Sequence, residues 1–243
     1  MNNTYSIKKQ VDSSMIDYNN VMRFDNALLE FQNLAIFHSQ EMGVGFEDLK
    51  KSSNAFWVLT KVKLYTPKMP CLTENTTFTT YPTDISPLRF NREFTALGEN
   101  GGKILGHSEW CVLDFDTKQL RRSNSIKYPT ELVHRTDNVG LTFNNARYEV
   151  SSEDYAYTYT VKLTDIDCNR HTNNVAYARM ALNAFSLDEY DSYSFNTFEI
   201  RFIAQSYYAS EIEIYKKIVN ASTVFILGKS QDKNVFSVTF SNN

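Results

Sequence analysis

The stretch TDIDCNRHTNNVAYARMALNAF, Thr164–Phe185, holds the two features on which the fold turns. Its first part gathers Asp165, Asp167, Asn169, His171, Asn173 and Asn174 into a polar loop. Its second part, VAYARMALNAF, has only Arg179 and Asn183 as strongly polar residues. A helix apolar nearly all round is buried on most sides. The pattern predicts a helix over about residues 174–187, entered from the loop. Asx residues ahead of a helix commonly cap it and form turns, so spacing alone favours that plain reading of the loop.

Strand patterns surround this helix. Tyr155–Leu163 precedes the loop, and Phe195–Gln205, Glu211–Val219, Ser222–Ser230 and Val235–Ser241 follow the helix. The first half carries the same order. A strand over Thr4–Val11 leads into a polar loop, Asp12–Asn20. A helix follows over Asp25–Met42, with Leu28, Phe31, Leu34, Ala35, His38 and Met42 near one face. Asp25 or Asn26 is expected to cap its start and Gly43 to end it. Four strands come next: Ala55–Tyr65, Asn75–Tyr81, Leu88–Leu97 and Lys103–Phe115. GENGG, Gly98–Gly102, reads as the turn of a hairpin, since no Lys-Ser/Thr pair enters a helix after it as a phosphate loop requires. Asp17 and Asp167 stand about 150 residues apart in corresponding loops, so a whole domain is repeated. The expected domains are residues 1–125 and 151–243, joined by a polar linker over 126–150. One long helix wrapped by an antiparallel sheet would bury such a helix. A flat sheet with a helix on one face is the alternative.

Composition limits the function. With 42% hydrophobic and 14% aromatic residues, the 243-residue chain can bury a real core in each half. A formal charge of −3 argues against a general nucleic-acid binder. Cys71, Cys111 and Cys168 are odd in number and widely spaced, which fits a reducing compartment. MNNTYSIKKQ has no apolar signal core, and no apolar run approaches the roughly 18 residues of a membrane span. The expected location is the cytoplasm.

The loop can also do chemistry. The first turn of a helix presents backbone N–H groups and the positive end of the dipole. Such a site polarises a carbonyl and holds the oxyanion formed when water attacks it. An adjacent carboxylate or imidazole can take the proton from that water. Asp167 and His171 are the candidates for that proton, with Asn173 and Asn174 at the helix start.

DIDCNRHTNNVAY, Asp165–Tyr177, resembles the D-x-D-x-N-x-H-x-N-N-x-x-Y signature of plant and bacterial acyl-ACP thioesterases. In the first half, LLEFQNLAIFHSQEMGVGFEDL, FWVLTKVKL, LRFNREF and HSEWCVLDFDTKQLRR resemble the N-terminal domain of that family. The resemblance implies an α+β chain of two tandem hotdog domains, each a long central helix wrapped by an antiparallel β-sheet. It implies hydrolysis of the thioester that joins a fatty acyl chain to the phosphopantetheine arm of acyl carrier protein. Asp167, Asn169 and His171 take the catalytic positions by that pattern. Asp167 would orient or activate water, Asn169 would position water or substrate, and His171 would share the acid/base work or hold the carbonyl. No metal or redox cofactor is needed, because water is the nucleophile. The partner would be acyl carrier protein; pairing of two chains as a homodimer is left open.

One departure from the pattern matters. The family carries a glutamate in a K-E-x-x-x-G-D context after the second helix, and the matching stretch here is AQSYYASE, Ala204–Glu211. Gln205 stands where the glutamate is expected, and an amide can orient water but cannot accept its proton. Cys168, beside Asp167, is expected to point away. The first loop has Asp12, Asp17, Asn19 and Asn20 but no histidine, so the N-terminal half is expected to be catalytically silent and to line a pocket for the acyl tail. His38 is expected as a satisfied core or pocket histidine, and Trp57 and Trp110 as core or tunnel wall. Rival readings are an acyl-CoA thioesterase, a hydratase or dehydratase of acyl chains, and a non-catalytic acyl-binding protein.

Overall fold

The structure, a computed structural model, describes residues 2–134 and 138–242. The chain divides into two compact units, Met1–Thr142 and Phe143–Asn243. Both are α+β with an antiparallel sheet.

In the first unit, β1 (Tyr5–Gln10) leads to α1 (Phe24–Glu41) and a short α2 (Phe46–Ser53). Then come β2 (Ala55–Lys68), β3 (Asn75–Ile85), β4 (Phe90–Gly98), β5 (Lys103–Asp114) and a two-residue β6 (Leu120–Arg121). The sheet order is β1-β3-β4-β5-β2, with β6 on β5. α1 packs across β3, β1 and β2. It buries Phe24, Leu28, Phe31, Leu34, Ala35 and His38, the three- and four-residue spacing of one helical face. Each large apolar side chain so buried contributes roughly 1.5–3 kcal/mol. Phe31 stacks on Phe94 at 4.8 Å, and a Cβ at Gly106 would stand 2.7 Å from the Phe31 ring. Gly106 therefore lets α1 approach the sheet.

The helix start differs from expectation. Arg23, with no side-chain cap, precedes α1, and Asp25 and Asn26 lie inside its first turn. Asp25 instead pairs with Arg23 at 3.0 Å, and Asn26 donates to Ser14 O, so both side chains fasten the preceding loop. At the other end Gly43 takes φ +69°, the left-handed conformation expected of it. In β2 the register shifts between Leu59 and Lys61. Buried positions pass from Leu59 to Val62, Leu64 and Thr66. The bulge moves the inward face by one residue, which is why FWVLTKVKLY alternates only in its later part.

The inward face of β4 also carries a charge. Arg92 is buried, and its Nη1 donates to His38 Nδ1 at 2.9 Å and to Thr80 Oγ1 at 3.3 Å. The Tyr128 hydroxyl is a further partner. Tyr128, Ile126 and Leu132 pack into the first unit's core, so the start of the expected linker is structural. With Nδ1 accepting, His38 Nε2 donates to Asn2 O at 3.1 Å, which makes the ring neutral. Burial first, and the Arg92 charge second, push its pKa down to about 4. A folded-state value below the ordinary 6.5 means the unfolded chain binds the proton more tightly. The contribution of His38 is therefore present above pH 6.5 and is lost as pH falls toward about 4. Urea midpoints across that window are expected to drop less steeply for His38→Gln than for wild type.

The second unit repeats the plan. β7 (Tyr155–Thr160) leads to α3 (Asn174–Leu182) and α4 (Leu187–Ser192), then β8 (Thr197–Phe202), β9 (Glu211–Asn220), β10 (Thr223–Ser230) and β11 (Lys233–Ser241). The sheet order β7-β9-β10-β11-β8 matches that of the first unit. α3 buries Val175, Ala176, Tyr177, Ala178, Met180 and Ala181, with Arg179 exposed. It ends at Leu182, five residues short of the predicted 187. Ser186 caps a separate α4 by accepting from Glu189 N, and that local bond competes with helix continuation. Among the described residues, no helix is long and apolar enough to cross a membrane.

Candidate active site

The loop between β7 and α3 is closed on Asp167. Its Oδ1 accepts from Asn169 N at 2.8 Å and His171 N at 3.2 Å. Its backbone N donates to His171 O at 2.9 Å, and Arg170 N donates to Asp167 O at 3.0 Å. Arg170 sits at φ +63° to make the turn. Ile166 and Thr172 bridge across the base. One carboxylate oxygen is thus spent on the backbone. Among the described residues nothing engages the other oxygen, and Asp167 is half-buried. The His171 ring has an edge contact with the Tyr207 ring, 5.3 Å between centroids, and no described residue hydrogen-bonds its nitrogens.

The remaining predicted residues fall in different places. Asn169 is exposed beside Asp167, and Cys168 is exposed as a free thiol. Asn173 is a capping residue: Oδ1 accepts from Ala176 N at 2.8 Å and Nδ2 donates to Asp165 O at 2.8 Å. Its side chain ties the loop to the start of α3, with Oδ1 taken by Ala176 N. Asn174 opens the helix. Asp165 is buried and accepts from Tyr159 Oη and Lys162 N, which is again structural. Gln205 is exposed in the β8–β9 connection. The next residue, Ser206, is buried against Thr172 and Tyr177. Of these three hydroxyls the motif contains only that of Tyr177 as a defined letter, its last.

The first unit contains the same loop, 150 positions earlier. Asp17 Oδ1 accepts from Asn19 N at 2.8 Å and Val21 N at 3.2 Å, and Asn20 sits at φ +61°. Ile16 and Met22 bridge its base. The backbone is therefore common to both loops, and what changes is the side chain carried: Val21 stands where His171 stands.

A groove of about 300 Å³, lined by residues including Tyr148, Glu199, Arg201 and Phe225, touches none of the loop residues.

The sequence matches the family description "Acyl-ACP thioesterase N-terminal domain" over residues 2–126 and "Acyl-ACP thioesterase C-terminal domain" over residues 148–239. Among curated proteins, none matches. Solved structures of similar fold include two acyl-ACP thioesterases. An acyl-ACP thioesterase from Bacteroides thetaiotaomicron is 21% identical with a TM-score of 0.88, covering 98% of this chain and 97% of that one. The 12:0-ACP thioesterase from Umbellularia californica is 13% identical with a TM-score of 0.86, covering 99% and 97%. The chain belongs to the acyl-ACP thioesterase family, and its activity is hydrolysis of the fatty acyl-ACP thioester to free fatty acid and acyl carrier protein.

Proposed function

We propose that this hydrolysis runs in the second unit, on water activated at Asp167. The observation that carries the reading is the divided carboxylate. One oxygen fixes the loop, and no described residue engages the other. In the proposed reaction Asp167 takes a proton from water as the water oxygen bonds to the thioester carbon. Backbone N–H groups at the start of α3, around Asn174, hold the oxyanion. His171 shares the acid/base work: the proton taken by Asp167 passes to His171 through solvent and from there to the departing phosphopantetheine sulfur as the C–S bond breaks, which restores both residues. Asn169 positions water or substrate, and Gln205 orients water without accepting its proton.

The two units read as tandem hotdogs. The first is silent because Val21 replaces the imidazole. A free fatty acid as product ends a chain built on acyl carrier protein, which fits fatty acid biosynthesis in the cytoplasm. Assembly as a homodimer is compatible with this reading.

The test is turnover of C8 to C18 acyl-ACP by wild type, Asn169→Ala, His171→Ala and Gln205→Ala, with acyl-CoA as competitor. We expect His171→Ala to lower kcat by about 100-fold, within the range for loss of an acid/base group. Gln205→Ala should lower it by about tenfold, as loss of a positioning contact does. Unchanged kcat in His171→Ala removes the imidazole from the chemistry. Preferred turnover of acyl-CoA would move the substrate from carrier protein to coenzyme.

A further inference from the structure

Three hydroxyls meet behind the loop. Thr172 Oγ1 lies 2.7 Å from Ser206 Oγ, and Tyr177 Oη lies 2.9 Å from the same atom. Thr172 Oγ1 donates to Ser206 O at 3.1 Å, and Ser206 N donates to Tyr177 Oη at 3.1 Å. One assignment satisfies every group: Tyr177 O–H donates to Ser206 Oγ, Ser206 O–H to Thr172 Oγ1, and Thr172 O–H to Ser206 O. Burial pushes the Tyr177 phenol up, and the Asp167 charge adds to this, so the phenol stays a donor. All three residues are 5% exposed or less.

The first unit shows that the fold does not require these hydroxyls. Met22 N donates to Pro70 O at 2.8 Å where Thr172 N donates to Ser206 O at 2.9 Å. Thr73 N and Ala209 N donate to Val11 O and Val161 O, with Thr73 and Ala209 at φ +67° and +64°. The backbone is the same, yet Met22, Pro70 and Ala27 occupy the places of Thr172, Ser206 and Tyr177. Burying hydroxyls costs free energy that apolar side chains avoid, and hydrogen bonding only offsets it. The second unit bears that cost beside its own loop. Thr172 follows His171, and Ser206 lies between Gln205 and Tyr207, whose ring meets His171.

We propose that Thr172, Ser206 and Tyr177 are positioning residues, a clasp that fixes the Asp167–His171 loop against the Gln205–Tyr207 segment for hydrolysis. The inference rests on the site reading above. Asp167 and His171 ride on one side of the clasp, and Gln205 and Tyr207 on the other. Small misplacements of reacting groups cost large factors in rate, so a site assembled from two segments gains from a buried tie that folding alone does not need.

The test uses the full chain and acyl-ACP hydrolysis. Thr172→Val, Ser206→Ala and Tyr177→Phe each remove one link at nearly constant shape, and Thr172→Ser keeps the hydroxyl. The expected result is a fall in kcat of about tenfold or more for the first three, with KM changed by less than about twofold and Thr172→Ser close to wild type. A lowered melting temperature with kcat unchanged in Ser206→Ala and Tyr177→Phe would make the clasp purely structural and overturn the proposal. Asp167→Ala separates the two levels. If wild type turns over, Asp167→Ala does not, and the clasp variants match wild type, the clasp alone fails. If Asp167→Ala retains full turnover, the site reading fails and takes the clasp with it.

Discussion

Replacing Asp167 with asparagine is expected to lower kcat for acyl-ACP hydrolysis by about 10²–10⁴-fold, the range for removing a general base. Asparagine is the informative choice. Oδ1 of Asp167 accepts from Asn169 N and His171 N, and an amide oxygen can still accept both bonds. The loop should therefore keep its shape while the group that takes the proton is lost. Alanine removes the acceptor too and mixes the two effects. The chain supplies its own control, because Asp17 makes the same two bonds to Asn19 N and Val21 N. Asp17→Asn repeats the local perturbation in a loop without a histidine, where the amide oxygen can again accept both bonds, and its kcat should stay close to that of wild type. Equal losses in the two variants would show that the effect passes through folding and would remove Asp167 as base. A loss confined to Asp167→Asn, with both melting temperatures near wild type, assigns it to the chemistry.

Much of this architecture was legible because the repeat is written in local chemistry. Asp17 and Asp167 are readable at an offset of 150, and each closes its loop by accepting two backbone N–H bonds, which a short acidic side chain does well. The strands around GENGG were readable from alternation and glycine. Other features were hidden for stated reasons. The register shift at Leu59–Lys61 has no marker in a run of β-formers. α2 follows α1 after a short turn, and its polar FEDLKKSS buries only Leu49. α3 stops early because Ser186 offers the chain a new cap. The motif named Asp167, Asn169 and His171 but could not show that Asn173 is spent as a cap. Ser206 lies 34 residues from Thr172, so nothing local announces their contact. A signal was nevertheless present: aligning the repeat sets Thr172 and Tyr177 against Met22 and Ala27. Polar residues appear in the second half at places where the first half does without them.

The largest loss of stability is expected from Glu74→Ala in the first unit. Glu74 is 1% exposed, and its two oxygens accept from Cys71 N, Asn100 N and Gly102 N at 2.8–3.0 Å. These bonds hold the β4–β5 turn, Glu99–Gly102, against the chain entering β3. The glycines around the turn leave room for this carboxylate and its neighbour: a Cβ at Gly98 would clash with Glu74 Oε1, and one at Gly102 would lie 2.8 Å from Glu74 Oε2 and 2.6 Å from Pro70 Cα. The corresponding β10–β11 turn needs no such tie. It has two residues, Gln231 and Asp232, both at positive φ, which suits the strand twist. Ser210 stands there in place of Glu74, and its short side chain accepts from Tyr207 N through Oγ. Removing the Glu74 carboxylate leaves three donors without it, one of them at buried Gly102, at a cost of about 3–5 kcal/mol. For a unit of this size that lowers the melting temperature by about 10 °C or more. Burial alone would raise the Glu74 pKa, but the Cys71, Gly102 and Asn100 N–H groups outweigh it and hold the carboxyl below its ordinary value. Its contribution is thus present above the usual glutamate range and disappears as pH falls through the lowered folded-state value. The gap in melting temperature between wild type and Glu74→Ala should therefore be full at pH 7 and shrink on acidification. A gap independent of pH would mean that shape, not the charged acceptor, holds the turn.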